Sequence, residues 1–432
     1  MRIAFTLTWK KILALVAAGV LAALAVSWTG LVSIAASSGH FSPVGWFLHW
    51  TMRNAVTTQA LVVERPVDLD LDDPALIRRA AGHFASDCAF CHGAPGVPQS
   101  AVTEAMTPSP PRLAEDVGGW SDRELFWIVQ HGIKYSGMPA WISQERPDEV
   151  WAMAAFLRAL PSLTPAAYAE MALGGAGADV PPPVGNSSTA LAAIGEIART
   201  DCARCHGRDG QGVPTPGGVP GEVVPIIAGQ PEAYLAETLR AFAAGERHSG
   251  FMQSAAQRYD GVVLDTLARH YAAQPTRLPA TVPTGAPQRS GLADKDAPAP
   301  AGSAVARTRA ALARVVPEAS AYGAPYDQSG LADLGRRLAS EGLPERKLPA
   351  CDSCHGGSSA SSPVGRSLYP YLAGQPAWYL STHLKLWREG ERGGTRKSHL
   401  MDKIAIHLTD EQIAAVSAWY ERQPAGFPAS GK

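Results

Sequence analysis

The chain has 432 residues, a formal net charge of −1 and 46% hydrophobic residues. That length, with 35 prolines, implies two to four small domains joined by proline-rich connections, and the near-neutral balance gives no footprint for nucleic acid. The six cysteines fall into three like pairs, which leaves none for a structural disulfide.

Arg2, Lys10 and Lys11 precede the 25 uncharged residues Ile12 to Ala36, and no acidic residue occurs before Glu64. An apolar span of about 20 residues crosses a bilayer, longer than the apolar region of a signal peptide. Residues 1–40 are therefore predicted to anchor the chain in membrane lipid, with the N-terminus in the cytoplasm and the remainder on the outer face. The small residues around Ala35 and Ser37 also fit a cleaved signal peptide; either way the rest is exported. Residues 41–73 follow as an interfacial or linking segment, with Trp46, Phe47 and Trp50 beside Arg53. A helix lying on the membrane surface and an amphipathic helix packed on the first domain both fit this text.

Three copies of one string come next: DCAFCHG with Cys88 and Cys91, DCARCHG with Cys202 and Cys205, and CDSCHGG with Cys351 and Cys354. His92, His206 and His355 follow directly. C-x-x-C-H is the attachment signature of c-type haem. Two thiols one helical turn apart reach both vinyl groups as thioethers, and the adjacent imidazole reaches the iron. A single string also reads as a zinc half-site or a redox dithiol. Zinc, however, needs four protein ligands or three plus water, and a dithiol has no need of the histidine. Three copies that use every cysteine predict three covalently bound haems c.

Met138, Met252 and Met401 each lie 46 residues beyond their histidine, in a chain with only eight methionines. They are the predicted sixth iron ligands. His131, His248 and His399 stand seven, four and two residues before them as rivals, and a bis-histidine site would have a lower potential. Met106 and Met153 are thioether rivals in the first unit. Between histidine and methionine lie Pro111, Pro225 and Pro370, at 19, 19 and 15 residues from the histidine. A proline carbonyl there can accept a hydrogen bond from the ring nitrogen that does not face the iron, fixing the ring and enriching the ligand. A plain turn proline is the other reading.

Amphipathic helices precede the cysteines and follow the methionines. Gly82, Gly195 and Gly335 recur in the first set, where a second helix would approach closely. Phe156, Tyr271 and Tyr420 are candidates for the aromatic at the crossing of first and last helices.

With helix, C-x-x-C-H, proline loop, methionine loop and closing helix in order, each unit resembles a class I cytochrome c domain. The resemblance implies an all-α fold of three such domains in tandem after the transmembrane helix, at 74–162, 188–276 and 328–426, with linkers at 163–187 and 277–327. The second and third units share IAGQPEAYL at 227–235 and LAGQPAWYL at 372–380, and resemble the diheme shuttle cytochromes of bacterial periplasms. The first resembles monohaem domains with a GMPAW methionine loop that are attached to oxidases and dehydrogenases. Departures fall in the third unit, where GLPERKLPA is inserted before Cys351 and GGSSASSP follows His355.

Iron held by histidine and methionine has no position left for substrate, and the thioether favours Fe(II) and a raised potential. The expected function is one-electron transfer. No distal acid–base residue is apparent for a peroxidase with a vacant site. The expected partners are redox complexes of the inner membrane: a quinol-oxidising complex as donor and a haem-copper terminal oxidase as acceptor. The other reading is the electron-accepting subunit of a periplasmic quinoprotein or flavoprotein dehydrogenase.

Overall fold

The computed structural model describes residues 8–174, 194, 198–275, 328–356 and 368–424. Arg2, Gly195, the connection 277–327 and most of GGSSASSP lie outside the described residues. The described residues form helices and no strand, with two isolated β-bridges.

Helix α1 (Trp9–Thr29) is long and apolar enough to cross a membrane, and none of its residues is buried by protein. Gly30, in the left-handed region at φ 65°, ends it before the uncharged run is over. Helix α2 (Ser42–Gln59) accommodates both sequence readings. Its C-terminal half packs on the first unit, where Val56 is buried, Arg53 donates to the Gly119 carbonyl at 2.9 Å and the guanidinium lies over Trp120. Its N-terminal half leaves Trp46, Phe47 and Trp50 exposed.

The first unit contains α3 (Pro74–His83), α4 (Asp122–His131), α5 (Pro147–Ala159) and α6 (Pro165–Leu173). Each start is written locally. Asp73 caps α3 through the Ala75 N–H with proline at the first position, and Ser121 and Glu124 form a reciprocal capping box on α4. Helix α3 packs across α5, and Phe84 meets Phe156 with ring centroids 5.1 Å apart. Helix α6 begins where the sequence predicts a linker. Thr164 caps it, and Tyr168 and Ala172 are buried against the same core, so the unit gains a fourth helix.

In the second unit α7 (Glu232–Ala243) packs on α9 (Gly261–Ala272), with the short α8 (Gly250–Gln257) between them in sequence. In the third, α10 (Gln328–Ser340) crosses α13 (Asp410–Glu421), and α11 (Ala377–Glu389) and α12 (Ser398–Ala405) complete the set. Gly335 sits at that crossing: a Cβ there would lie 2.4 Å from the Ala415 carbonyl oxygen. The inserted GLPERKLPA closes on itself through Leu343 and Leu348, whose backbones pair and whose side chains are buried. The chain thereby returns to the end of α10, where the Cys351 N–H donates to the Leu338 carbonyl.

Gly82 departs from expectation. The residue seven before the first cysteine, equivalent to Gly195, is Ala81, which is fully buried in the first core. A Cβ on Gly82 would instead lie 2.7 Å from Cys205 Sγ of the second unit. This glycine serves the contact between units, not its own helix crossing.

Candidate haem centres

Each C-x-x-C-H string ends in a single helical turn: Ala89–His92, Ala203–His206 and Asp352–His355. The turn brings both sulfurs and the imidazole to one side. Burial pushes the Cys88, Cys202 and Cys351 thiols up to about 12 and Cys205 to about 11. These are neutral thiols at ordinary pH, which weighs against the thiolate that zinc ligation or dithiol redox chemistry requires. Among the described residues no further histidine, cysteine or carboxylate joins a pair to make a metal-binding set.

The three histidines share one arrangement. The ring Nδ1–H donates to a proline carbonyl: His92 to Pro111 at 2.9 Å, His206 to Pro225 at 3.2 Å and His355 to Pro370 at 2.9 Å. This tautomer leaves Nε2 with its lone pair. Burial lowers all three rings below the usual histidine value, His206 to about 4, so each stays neutral and able to ligate iron.

Met252 lies in the first turn of α8 and Met401 in α12, and both line one cavity of about 390 Å³. The cavity runs between the second and third units, with Cys205 and His206 on one side and Cys354 and His355 on the other. Met138 follows a turn in which Gly132 holds φ 64° with its Cα against Pro139, and its N–H donates to Ser136 Oγ. Of the rivals, Met153 is buried in the core beneath α5, and His131 is exposed with its ring tilted against Trp127, centroids 5.0 Å apart. His399 Nδ1 faces the Arg396 carbonyl. Met106 reaches the loop beside Gly137.

Two buried arginines, which the sequence reading did not single out, line the cavity. Arg247 and Arg392 occupy matching positions in the repeated Gly-Glu-Arg, and Arg247 donates to Tyr234 as Arg392 does to Tyr379. Neither has a carboxylate within salt-bridge distance among the described residues, and Arg247 Nε has no partner. Burial, with Arg247 nearby, pushes Arg392 down to about 10. Uncompensated buried cations are costly. The lining of two guanidiniums without a carboxylate partner, two neutral imidazoles and four thiols suits two haems, whose propionates would supply the missing anions.

The units are tied at these centres. Gln375 accepts from the Ile226 N–H and donates to its carbonyl, and Gln230 does the same for Tyr371. Each glutamine, from the shared AGQP, thus holds the residue after the other unit's histidine-binding proline, a self-complementary contact. Between the first and second units Arg258 bridges Asp87 and Asp201, the residues immediately before Cys88 and Cys202.

Residues 75–157 match the family described as cytochrome c oxidase, cbb3-type, subunit III, and residues 332–421 match the family described as cytochrome c. The thiosulfate dehydrogenase electron acceptor of Thiomonas intermedia is 32% identical over 224 residues, covering 52% of this chain and 78% of that protein. Cytochrome c4 of Pseudomonas aeruginosa is 26% identical over 230 residues, covering 53% of this chain and 87% of that protein. The crystal structure of reduced cytochrome c4 from Pseudomonas stutzeri aligns with a TM-score of 0.37 at 22% identity, over 55% of this chain and all of that one. The chain is an electron-transfer protein that belongs to the class I c-type cytochromes, and its three C-x-x-C-H sites carry three covalently bound haems c.

Proposed function

We propose that the three centres are histidine–methionine haems, ligated by His92 and Met138, His206 and Met252, and His355 and Met401. In this reading the chain collects electrons from a periplasmic dehydrogenase through its second and third units and delivers them through its first unit to a haem-copper terminal oxidase. The observation that carries it is the 32% identity to a dehydrogenase electron acceptor over 78% of that protein. The match of the first unit to an oxidase subunit family supports the delivery end. The quinol-oxidising donor expected from sequence has no comparable support. Helix α1, exposed along its whole length and apolar, supports attachment to the inner membrane with the haem units in the periplasm.

Bound haem iron supplies a one-electron change that breaks no bond. The chain's own residues set its energy. Pro111, Pro225 and Pro370 hold the Nδ1 proton of each histidine and keep the ring at one angle. Apolar walls exclude water from the second and third centres, and Arg247 and Arg392 add fixed positive charge. Positive charge disfavours ferric iron. Arg247→Gln or Arg392→Gln is therefore expected to lower the midpoint of the adjacent centre by about 60 mV, the tenfold step of a one-electron couple, as a spectroelectrochemical titration reads.

The direction of flow is tested by adding thiosulfate, other dehydrogenase substrates or a quinol to native membranes with periplasm, and following haem reduction. Substrate-dependent reduction that bypasses quinol is the expected result; reduction by quinol alone would overturn the proposed donor. Replacing residues 1–30 by a cleavable signal peptide is expected to move the chain from the membrane to the soluble periplasmic fraction with three haems still attached. Retention of that truncated chain on the membrane would contradict α1 as the anchor.

A further inference from the structure

The methionine loop of the second unit is held by the first. Ser249 caps α8, its Oγ accepting from the Met252 N–H at 3.1 Å. The same hydroxyl donates to Glu149 Oε1 at 2.6 Å, and the Gly250 N–H donates to Glu149 Oε2 at 2.5 Å. Glu149 comes from the first turn of α5, a hundred residues earlier in sequence, and is 3% exposed. Arg146, buried beside it at 2.9 Å, donates to the His248 carbonyl at 3.0 Å. One carboxylate and one guanidinium of the first unit thus grip His248, Ser249 and Gly250, the run that leads into Met252.

The aromatic side of this junction belongs to the other methionine loop. Trp141, three residues after Met138, meets Phe251 edge to face with centroids 5.5 Å apart. Its indole also covers Gly250, where a Cβ would lie 2.3 Å from Trp141 Nε1. The third unit's loop is held differently: α12, which carries Met401, starts at Lys397 without a side-chain cap, and Arg396 before it pairs with Glu237 of the second unit.

We propose that Glu149 is a positioning residue for the second haem: by clamping the N-terminus of α8 from another unit, it fixes where Met252 presents its sulfur to the iron. The proposal rests on the histidine–methionine reading of that centre. A carboxylate on the first N–H groups of a helix is favoured by both hydrogen bonding and the helix dipole. A held thioether competes better with outside ligands than one on a loose loop. Glu149 holds the second unit's methionine loop and makes no hydrogen bond to the third unit among the described residues, so the third centre supplies an internal control.

The test compares full-length Glu149→Ala and Glu149→Gln with the parent chain. It reads the ferric methionine-to-iron band, imidazole binding to ferric haem and the midpoint of each centre. In Glu149→Ala one centre of three is expected to weaken its methionine band, bind imidazole about tenfold more tightly and fall in potential. Glu149→Gln, which keeps one acceptor oxygen, is expected to lie between. A purely structural role would alter thermal stability and leave these signatures in place. Unchanged band, affinity and potentials at all three centres would overturn the proposal. Absence of the methionine band from the parent chain would instead sink the ligand assignment beneath it. Should Glu149→Ala lose haem altogether, Ser249→Ala removes the intermediate hydroxyl alone and is expected to perturb the same single centre; three unperturbed centres in that variant would be equally fatal.

Discussion

Leucine in place of Met252 is expected to remove the methionine-to-iron band of one centre and leave two. The side chains are of similar volume, so packing changes little. What is lost is the thioether, which favours Fe(II); the midpoint of that centre is expected to fall by on the order of 0.1 V or more, within the roughly 0.8 V that axial ligation spans across haem proteins. Met138→Leu and Met401→Leu are expected to act likewise, each on a different centre. Met153→Leu provides the contrast, because Met153 is buried in the core of the first unit. Its replacement is expected to leave all three bands in place. A fall in potential at two centres from one substitution would show that the ligands are not paired as proposed.

A second large effect is expected at Gly335. Replacing a helical glycine by alanine ordinarily stabilises, by about 1 kcal/mol. Here the added Cβ would lie 2.4 Å from the Ala415 carbonyl oxygen and 2.8 Å from Trp419 Cβ, and neither belongs to the end of a flexible side chain. Helices α10 and α13 must separate, so Gly335→Val is expected to cost about 3 kcal/mol, at the upper end of overpacking penalties. Thermal unfolding followed at each haem band is expected to show the third centre lost first. Gly261→Ala, where a Cβ would meet nothing within 4 Å, is expected to change little. Equal melting of both variants would mean that the helix crossing is not where the third unit gains its stability.

The parts of the site that were legible in the sequence are those fixed by local spacing. C-x-x-C-H is one helical turn, and the histidine-to-proline bond depends on a loop of nearly constant length, so both can be read by counting. Ser121 with Glu124, and Thr409 with Gln412, are equally local signals of helix starts, although the sequence reading named only the helices before the cysteines and after the methionines. The contacts between units were not. Glu149 and Ser249 are a hundred residues apart, and no periodicity joins them. Arg247 and Arg392 stood in plain text as a repeated Gly-Glu-Arg, yet only the cavity shows that both are buried without an anion. Gly82 was misassigned because it stands six residues before Cys88 whereas Gly195 stands seven before Cys202, so that Ala81 holds the equivalent position. Helix α6 was hidden by low amphipathic contrast in an alanine-rich segment, although Thr164 and Pro165 mark its start.

The account stands on three like centres held by histidine and methionine in one chain. Near-infrared magnetic circular dichroism of the fully oxidised, full-length protein tests this directly, because ferric haem ligated by histidine and methionine absorbs at a different energy from bis-histidine haem. The predicted result is histidine–methionine signal equivalent to three haems per chain and no bis-histidine component. A bis-histidine band, or histidine–methionine intensity for fewer than three haems, would contradict it.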